Sequence, residues 1–314
     1  MLKSVSVVIP TYNGLELLKK NLPPLLDALI YCGVEWEIIV VDDASSDASV
    51  DFLNGEFPCV AVLRNELNQG FAETINRGIF AAKHDIVMAL NNDVTVEKEL
   101  FSKLLPRFAD PDIFAVSPNI IDPRNGINQA IYKLKPGICW FTDICLQTSE
   151  VYDNQAISLF FASGGSSCYD RGKLLLLGGF DPIYKPFYVE DVDLSYRAWK
   201  AGWKCVLEPT ATVWHESSST IRKYNKRRTI KFRTAKNKII FLWLNITDKK
   251  LIFLYFLFFI PSLIWDIVSF RKYKFIGTFN ALKYLPEIVK ARKKRKTLFV
   301  LRDADVIVKI SLHK

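Results

Sequence analysis

Three nearly unbroken apolar runs constrain this chain more than any other feature. They are Val5–Pro10 (VSVVIP), Glu37–Val41 (EIIVV) and Asp85–Leu90 (DIVMAL). Runs rich in β-branched residues, without polar alternation, suit strands buried on both faces of a parallel sheet. Cys59–Leu63 and Ile113–Ser117 read as further strands. Helical segments separate them: Leu15–Tyr31, a helix opening at Ser49, Phe71–Lys83 and Lys98–Phe108. Pro23-Pro24 predicts a kink or break inside the first helix. Strand and helix alternate through roughly the first 120 residues, which predicts a doubly wound α/β layer.

In such sheets ligands bind at the carboxyl ends of the strands. Polar clusters stand at three of these ends: Thr11-Tyr12-Asn13, Asp42-Asp43 and Asn91-Asn92-Asp93. A structural turn needs only one Asn, Asp or Gly, so three clusters point to a site. Carboxylates at Asp42 and Asp43 suit ribose hydroxyls or a base N–H. No Gly-x-Gly-x-x-Gly follows the first strand and no P-loop is present, which weighs against NAD, FAD and ATP hydrolysis. The single carboxylate of Asp93 could hold Mg²⁺ or Mn²⁺ whose other ligands are phosphate oxygens and waters. His215 follows a short strand, Ala211–Trp214; a lone histidine is more often structural than a ligand, and a candidate metal site beside it makes the two readings even.

The segment Gly178–Arg197 gathers Glu190, Asp191 and Asp193 within four residues, among Phe187, Tyr188, Tyr196 and Trp199. Crowded acids beside apolar groups have perturbed pKa values. The plain alternative is a solvated helix start, where acids are favoured. Leu194–Ala201 continues as a helix with Gly202 as its C-cap. Upstream, Leu159–Tyr169 predicts one strand that comes close to something at Gly164-Gly165. Residues 119–158 read as irregular, Arg171–Leu177 as a short helix, and Lys204–Leu207 as a strand separate from Ala211–Trp214.

Charge divides the chain. Residues 1–221 carry 18 Lys/Arg against 28 Asp/Glu, whereas residues 222–314 carry 24 against 5. A basic tail suggests nucleic acid or an anionic membrane. This tail also holds the apolar runs Ile239–Ile246 and Leu251–Phe270, which argue for membrane and against nucleic acid. The second run is marginal for a span, which needs ~20 mostly apolar residues, because it contains Pro261 and Asp266. Arg271-Lys272 and Lys290–Lys296 are basic blocks beside it. A buried helical hairpin on the catalytic domain is the alternative. The cysteines (Cys32, Cys59, Cys139, Cys145, Cys168, Cys205) form no C-x-x-C pair and read as reduced thiols. The first strand begins within a few residues of Met1, so no signal peptide is expected.

Taken together, five motifs resemble the family 2 glycosyltransferases, which have the GT-A fold. They are Ser6-Val-Val-Ile-Pro-Thr-Tyr-Asn13, Val40-Val-Asp-Asp-Ala-Ser-Ser-Asp47, Asn68-Gln-Gly-Phe71, Leu90-Asn-Asn-Asp-Val94, and Gly178-Gly-Phe-Asp181 with Glu190-Asp-Val-Asp-Leu194. The tail is similar to that of the membrane-associated, rhamnosyltransferase-like branch. The resemblance implies a Rossmann-like, mixed but mostly parallel sheet with helices on both faces. It implies a catalytic domain over 1–221, with a nucleotide-sugar half of about 1–118 and an acceptor half of about 119–221. A basic, apolar helical region for membrane association would follow over 222–314.

By the same resemblance Pro10, Tyr12, Asn13, Asp42, Asp43, Asn68, Gly70 and Asn92 bind the nucleotide sugar. Asp93 and His215 hold the divalent metal, although Asn91 and Asn92 stand where many members carry acids. Asp191 is the general base and Glu190 the fallback. The implied reaction is an inverting, metal-dependent hexosyl-type transfer to a glycan or lipid-linked saccharide, in cell-surface polysaccharide synthesis, with no covalent intermediate. The Gln-x-x-Arg-Trp element of processive synthases is absent, so one or few sugars are transferred. The expected location is the cytoplasmic membrane face, peripheral or with one short inserted segment. Two rivals stand beside this reading. A nucleotidyltransferase would need a basic glycine-rich loop after the first strand, and Pro10–Glu16 has no basic residue. A non-catalytic nucleotide-sugar or glycan adaptor would have no need of Asp43, Asp93 and Asp191 together.

Overall fold

The structure, a computed structural model, describes residues 3–130, 132–134, 144–146, 156–215, 226–268 and 272–311. Its sheet is built from β1 (Val5–Thr11), β2 (Trp36–Asp42), β3 (Val60–Arg64), β4 (Ile86–Leu90), β5 (Val94–Val96) and β6 (Ile113–Ile121). Three later strands complete it: β9 (Ile157–Ser158), β10 (Ser166–Asp170) and β11 (Lys204–His215). The order is β3-β2-β1-β4-β10-β6-β11-β5, with β9 against β11. Pairs β1–β2, β1–β4, β2–β3 and β6–β11 are parallel. β10 runs antiparallel between β4 and β6, and β5 antiparallel to β11. The sheet is therefore mixed, and the expected doubly wound layer is its β3-β2-β1-β4 half. A separate ribbon pairs β7 (Tyr132–Leu134) with β8 (Ile144–Leu146).

The apolar runs are buried as their composition requires. Val7, Val8, Ile38, Val40, Val87 and Met88 are fully enclosed. Helices α1 (Leu15–Cys32), α2 (Ser49–Glu56) and α3 (Phe71–Ala81) cover this half. Helix α1 is continuous through Pro23 and Pro24, so it is not broken there; Leu18, Leu22, Leu25 and Leu29 seat both halves of it in one core. Helix α3 lies so close to the sheet that a Cβ on Gly78 would sit 2.2 Å from Val8 Cγ1. Beyond it come α4 (Leu100–Leu104), a 3₁₀ turn at Leu105–Ala109, α5 (Arg171–Leu177) and α6 (Glu190–Lys200).

Three local expectations are corrected. The run 159–169 is not one strand: β9 and β10 flank an irregular stretch, held by Leu159 N–H on Cys205 O (2.8 Å) and Ala162 N–H on Ser195 Oγ (3.0 Å). The two strands expected over 204–214 are one, bulged between Glu208 and Thr212. Helix α6 starts at Glu190, not Leu194, so both candidate bases lie in its first turn.

The tail folds into α7 (Arg227–Asn245), α8 (Lys249–Val268), α9 (Lys272–Leu282), α10 (Leu285–Lys296) and α11 (Asp303–Ser311). Gly277 lets α9 cross α7 closely; a Cβ there would meet Ala235 Cβ at 2.9 Å. Among the described residues no helix is long and apolar enough to cross a membrane. The expected boundary at 221–222, Glu216–Thr220, Arg271, Cys139 and the side chains of Cys145, Asp266 and Lys272 lie outside what is described. Cys32, Cys59, Cys168 and Cys205 are free thiols.

Candidate active site

A cleft of about 450 Å³ opens at the carboxyl ends of β1 and β4. Most residues singled out in the sequence meet there. Pro10, Tyr12, Asp43, Asn68, Gly70 and Asn92 line one side. Asp93, His215, Glu190 and Asp191 line the rest. Asn13 and Asp42 are not among the lining residues. Asn13, in the left-handed region (φ 49°), accepts from Ser46 N–H at 2.8 Å and holds the turn beneath the cleft. Asp42 is fully buried; it accepts from Ser45 N–H (3.1 Å) and faces Arg64 Nε (3.4 Å).

Asp43 works mainly on its own chain. Its Oδ1 accepts from Asn65 Nδ2 and Gln69 N–H, both at 2.8 Å, and its Oδ2 from Gly70 N–H at 3.0 Å. The carboxylate thereby shapes the loop that leads into α3, and Gly70 (φ 79°) makes the turn. Asn92 is held similarly: its Nδ2 donates to Thr11 Oγ1 (2.9 Å), and its carbonyl accepts from Asn21 Nδ2 (2.8 Å). Asn91 N–H donates to Gly165 O (2.8 Å), and a Cβ on Gly165 would collide with the Asn91 amide. This is the close approach that the glycine pair foretold.

Asp93 Oδ1 lies 3.4 Å from His215 Nε2. Strand pairing brings them together, since His215 of β11 is in register with Val94 of β5. Gln129 Nε2 donates to His215 O (3.3 Å), which turns its Oε1 to His215 Nδ1 at 3.1 Å. With Gln129 so oriented Nδ1 is the donor, and Nε2 either shares a proton with the carboxylate or presents a lone pair to it. Two acceptors at this distance repel unless a proton or cation is shared between them, so the pair fits a divalent cation. Among the described residues no group of three or more His, Cys, Asp or Glu side chains could hold a metal. Two protein ligands leave the other positions to diphosphate oxygens and water.

Glu190 and Asp191 line the same cleft. Burial pushes the Glu190 carboxyl up to about 8, and the neighbouring Asp191 charge adds to this. Asp191 is also raised by burial, against the pull of Val192 N–H, which donates to its Oδ1 at 2.8 Å. Burial thus raises both carboxyls, with Glu190 at about 8. In the folded chain Glu190 keeps its proton to about pH 8, whereas an unfolded glutamate loses it near pH ~4.3. The native state holds the extra proton across that window, so this group's stabilising contribution falls as pH rises. Glu190→Gln is expected to melt higher than wild type at pH 8 and to flatten the slope. Melting curves between pH 5 and 9 check this, and unchanged slopes would contradict it.

Asp193 has a different job. It is fully buried and accepts from Tyr184 OH, Arg197 Nε and Asn245 Nδ2, each at 2.7 Å, and from Arg295 Nη1 at 2.6 Å. Burial would raise its pKa, but the guanidinium charges of Arg295 and Arg197 hold it well below the usual range. Arg295 also pairs with Asp181. On the same helix Lys200 pairs with Asp303 at 2.9 Å, and Tyr196 OH donates to Asp303 at 2.6 Å. Tail residues Asn245, Arg295 and Asp303 thus clamp the buried face of the helix that carries Asp191.

A second clamp acts on the loop before α6. Tyr188 (φ 72°) and Val189 (φ 81°) are both in the left-handed region, which is costly for a β-branched residue. Asn237 Nδ2 of α7 faces the carbonyls of Tyr184 (2.6 Å), Phe187 (3.0 Å) and Tyr188 (2.9 Å). From the same helix Arg233 lines the cleft, with its guanidinium 5.4 Å from the Phe187 ring centre. Sequence reading missed Arg233, Asn237 and Arg295, because each stood inside a basic stretch taken for a membrane surface. No local pattern marks them.

The family model for glycosyl transferase family 2 matches residues 6–174. A pre-mycofactocin glycosyltransferase of Mycobacterium tuberculosis is 29% identical over 229 residues, which is 72% of this chain and 45% of that protein. A poly-beta-1,6-N-acetyl-D-glucosamine synthase of Staphylococcus epidermidis is 26% identical over 294 residues, covering 90% of this chain and 67% of its own length. This chain therefore spans less than half of the first relative. Among solved structures, GalNAc-T7 with UDP, GalNAc and Mn²⁺ superposes with a TM-score of 0.61 at 19% identity, over 81% of this chain and 50% of that one. The mannosyltransferase PcManGT from Pyrobaculum calidifontis, with GDP-Man and Mn²⁺, gives 0.58 at 16% identity over 99% and 87%. These likenesses bear out the GT-A fold. The matched family model spans four of the five motif stretches and most of the cleft, and on that ground the chain belongs to glycosyl transferase family 2.

Proposed function

We propose that the chain is an inverting, non-processive glycosyltransferase that moves a sugar from a nucleotide-diphosphate sugar to a hydroxyl of a lipid-linked saccharide, in cell-surface polysaccharide synthesis. One observation carries this reading: a carboxylate of raised basicity, Asp191, shares one cleft with the Asp93–His215 pair. Asp191 takes the proton of the acceptor hydroxyl as its oxygen attacks the anomeric carbon. Protonated Glu190 removes a second negative charge from beside the base. Asp93 and His215 would hold a divalent cation, Mg²⁺ or Mn²⁺, whose charge offsets that of the departing diphosphate. Arg233 supplies a further positive charge at the cleft wall. The related structures solved with GDP-Man or UDP support a nucleotide-sugar donor.

The tail supports a peripheral place on the cytoplasmic membrane face. Helix α8 exposes Phe253, Leu257, Ile260, Ile264 and Trp265, and α10 exposes Lys290, Lys293, Lys294 and Lys296. An apolar helix face beside lysines suits an anionic bilayer surface. A thermal-shift series of nucleotide sugars with and without Mn²⁺ tests the donor reading. The correct donor is expected to stabilise wild type by about 2.7 kcal/mol at a hundred times its Kd. Asp93→Ala should lose the Mn²⁺-dependent part, and equal nucleotide affinity with and without Mn²⁺ in wild type would refute the metal's role.

A further inference from the structure

A second cavity, of about 440 Å³, lies in the tail, away from the residues of the cleft. Its walls are Leu242 and Trp243 of α7, Ile246 just after it, Ile252 of α8, and Ile288 and Arg292 of α10. Protein interiors close such apolar voids by packing, and small-molecule sites occupy ~300–1,000 Å³. This one has a mouth: Phe256, Leu282, Leu285 and Val289 line it and are also exposed to the outside. Near that mouth on α8, Phe253 is 66% exposed. The cavity is therefore open to the outside through apolar side chains.

Two polar features mark one end. Trp243 Nε1 is a buried donor with no acceptor among the described residues. Arg292, whose Nη1 donates to Trp243 O at 2.7 Å, brings a positive charge to the wall. Exposed Lys293, Lys294 and Lys296 follow on the same helix. An occupant is thus asked to be a hydrocarbon chain whose anionic head meets this basic end. Helix α7 links the cavity to the chemistry. Arg233 lines the cleft and Leu242 lines the cavity; nine residues of helix separate them, roughly 14 Å at 1.5 Å per residue.

We propose that this cavity binds the hydrocarbon chain of the lipid-linked acceptor, with its phosphate at the Trp243–Arg292 end and its saccharide reaching along α7 into the cleft. The inference rests on the acceptor reading given above and narrows it to a seat for the chain. It also gives the tail a role in acceptor selection beyond adhesion.

The test uses the full chain and vesicles of phosphatidylcholine and phosphatidylglycerol that contain a diazirine-tagged long-chain prenyl phosphate. After irradiation, mass spectrometry maps the label. The expected label falls on peptides that contain Leu242–Ile246 and Ile288, and excess untagged phosphatidylglycerol does not displace it. Ile288→Trp, which fills the cavity, should cut that label at least tenfold while vesicle binding persists. Leu285→Trp narrows the exposed mouth without a core change and should do the same, so a misfolded Ile288→Trp does not rescue the idea. Label confined to the Phe253–Trp265 face, or equal label in both variants and wild type, overturns the inference and leaves membrane association standing. Displacement by phosphatidylglycerol overturns the assignment to the acceptor. Failure to bind the vesicles at all overturns the membrane reading together with the inference.

Discussion

Asp191→Asn is expected to lower turnover by about 10²–10⁴-fold, the usual worth of a positioned general base, while donor affinity stays within twofold. The substitution keeps the side chain's shape and its Oδ1 acceptor for Val192 N–H. It removes only the capacity to take a proton. Burial has raised the basicity of Asp191, so the acid limb of the wild-type pH–rate profile should lie above the ordinary aspartate range. Steady-state kinetics beside nucleotide-sugar calorimetry separate the effects. Retention of near-full turnover in Asp191→Asn would remove Asp191 from the mechanism. Loss of donor binding would instead assign it to the donor site. A large loss in Glu190→Gln with little in Asp191→Asn would move the base to Glu190.

Arg295→Met should destabilise the fold by ~3–5 kcal/mol, the cost of leaving a buried charge without its partner. Arg295 is only 7% exposed, and it bonds both Asp193 and Asp181. Its removal leaves Asp193 with the single guanidinium of Arg197 in a site closed to water. Lys290→Ala, in the same basic run but exposed, should stay within ~0.5 kcal/mol of wild type. The double variant Arg295→Met/Asp193→Asn should recover part of the loss, because it removes both charges together. Urea unfolding checks all three. Equal stability of Arg295→Met and Lys290→Ala would show that the buried cluster is not a structural tie.

Much of the catalytic layer was legible because its signals are local. VSVVIP and DIVMAL can only be strands buried on both faces, and an acid at the end of such a strand has few places to point. The pairing of β5 with β11 that sets His215 against Asp93 was not legible, since the two residues are 122 positions apart and register is a tertiary property. The continuity of α1 past its prolines was not legible, because a proline rule is local while the burial of Leu18 through Leu29 is collective. The tail residues that tie down the catalytic helix were hidden for a related reason. Charge in a sequence has no address: Arg295 and Lys293 look alike within KARKKRK, yet one is buried against Asp193 and the other is solvated. Asn237 carries no signal at all. Its amide matters only because three carbonyls of a strained loop converge on it.

The ion cluster around Asp193 also sets a schedule. Its acids and Arg197 leave the ribosome early, whereas Arg295 follows Asp193 by 102 residues. At ~5–20 residues per second, the nascent catalytic helix waits on the order of ten seconds for its second guanidinium. Asp303, which anchors Lys200, follows after a similar interval. During that wait Asp193 is short of partners and the loop at Tyr188–Val189 is free to relax until Asn237 arrives. The segment that bears the proposed base is therefore among the last parts of the molecule to mature. A nascent chain released before Arg295 would hold a finished nucleotide fold and an unfinished catalyst.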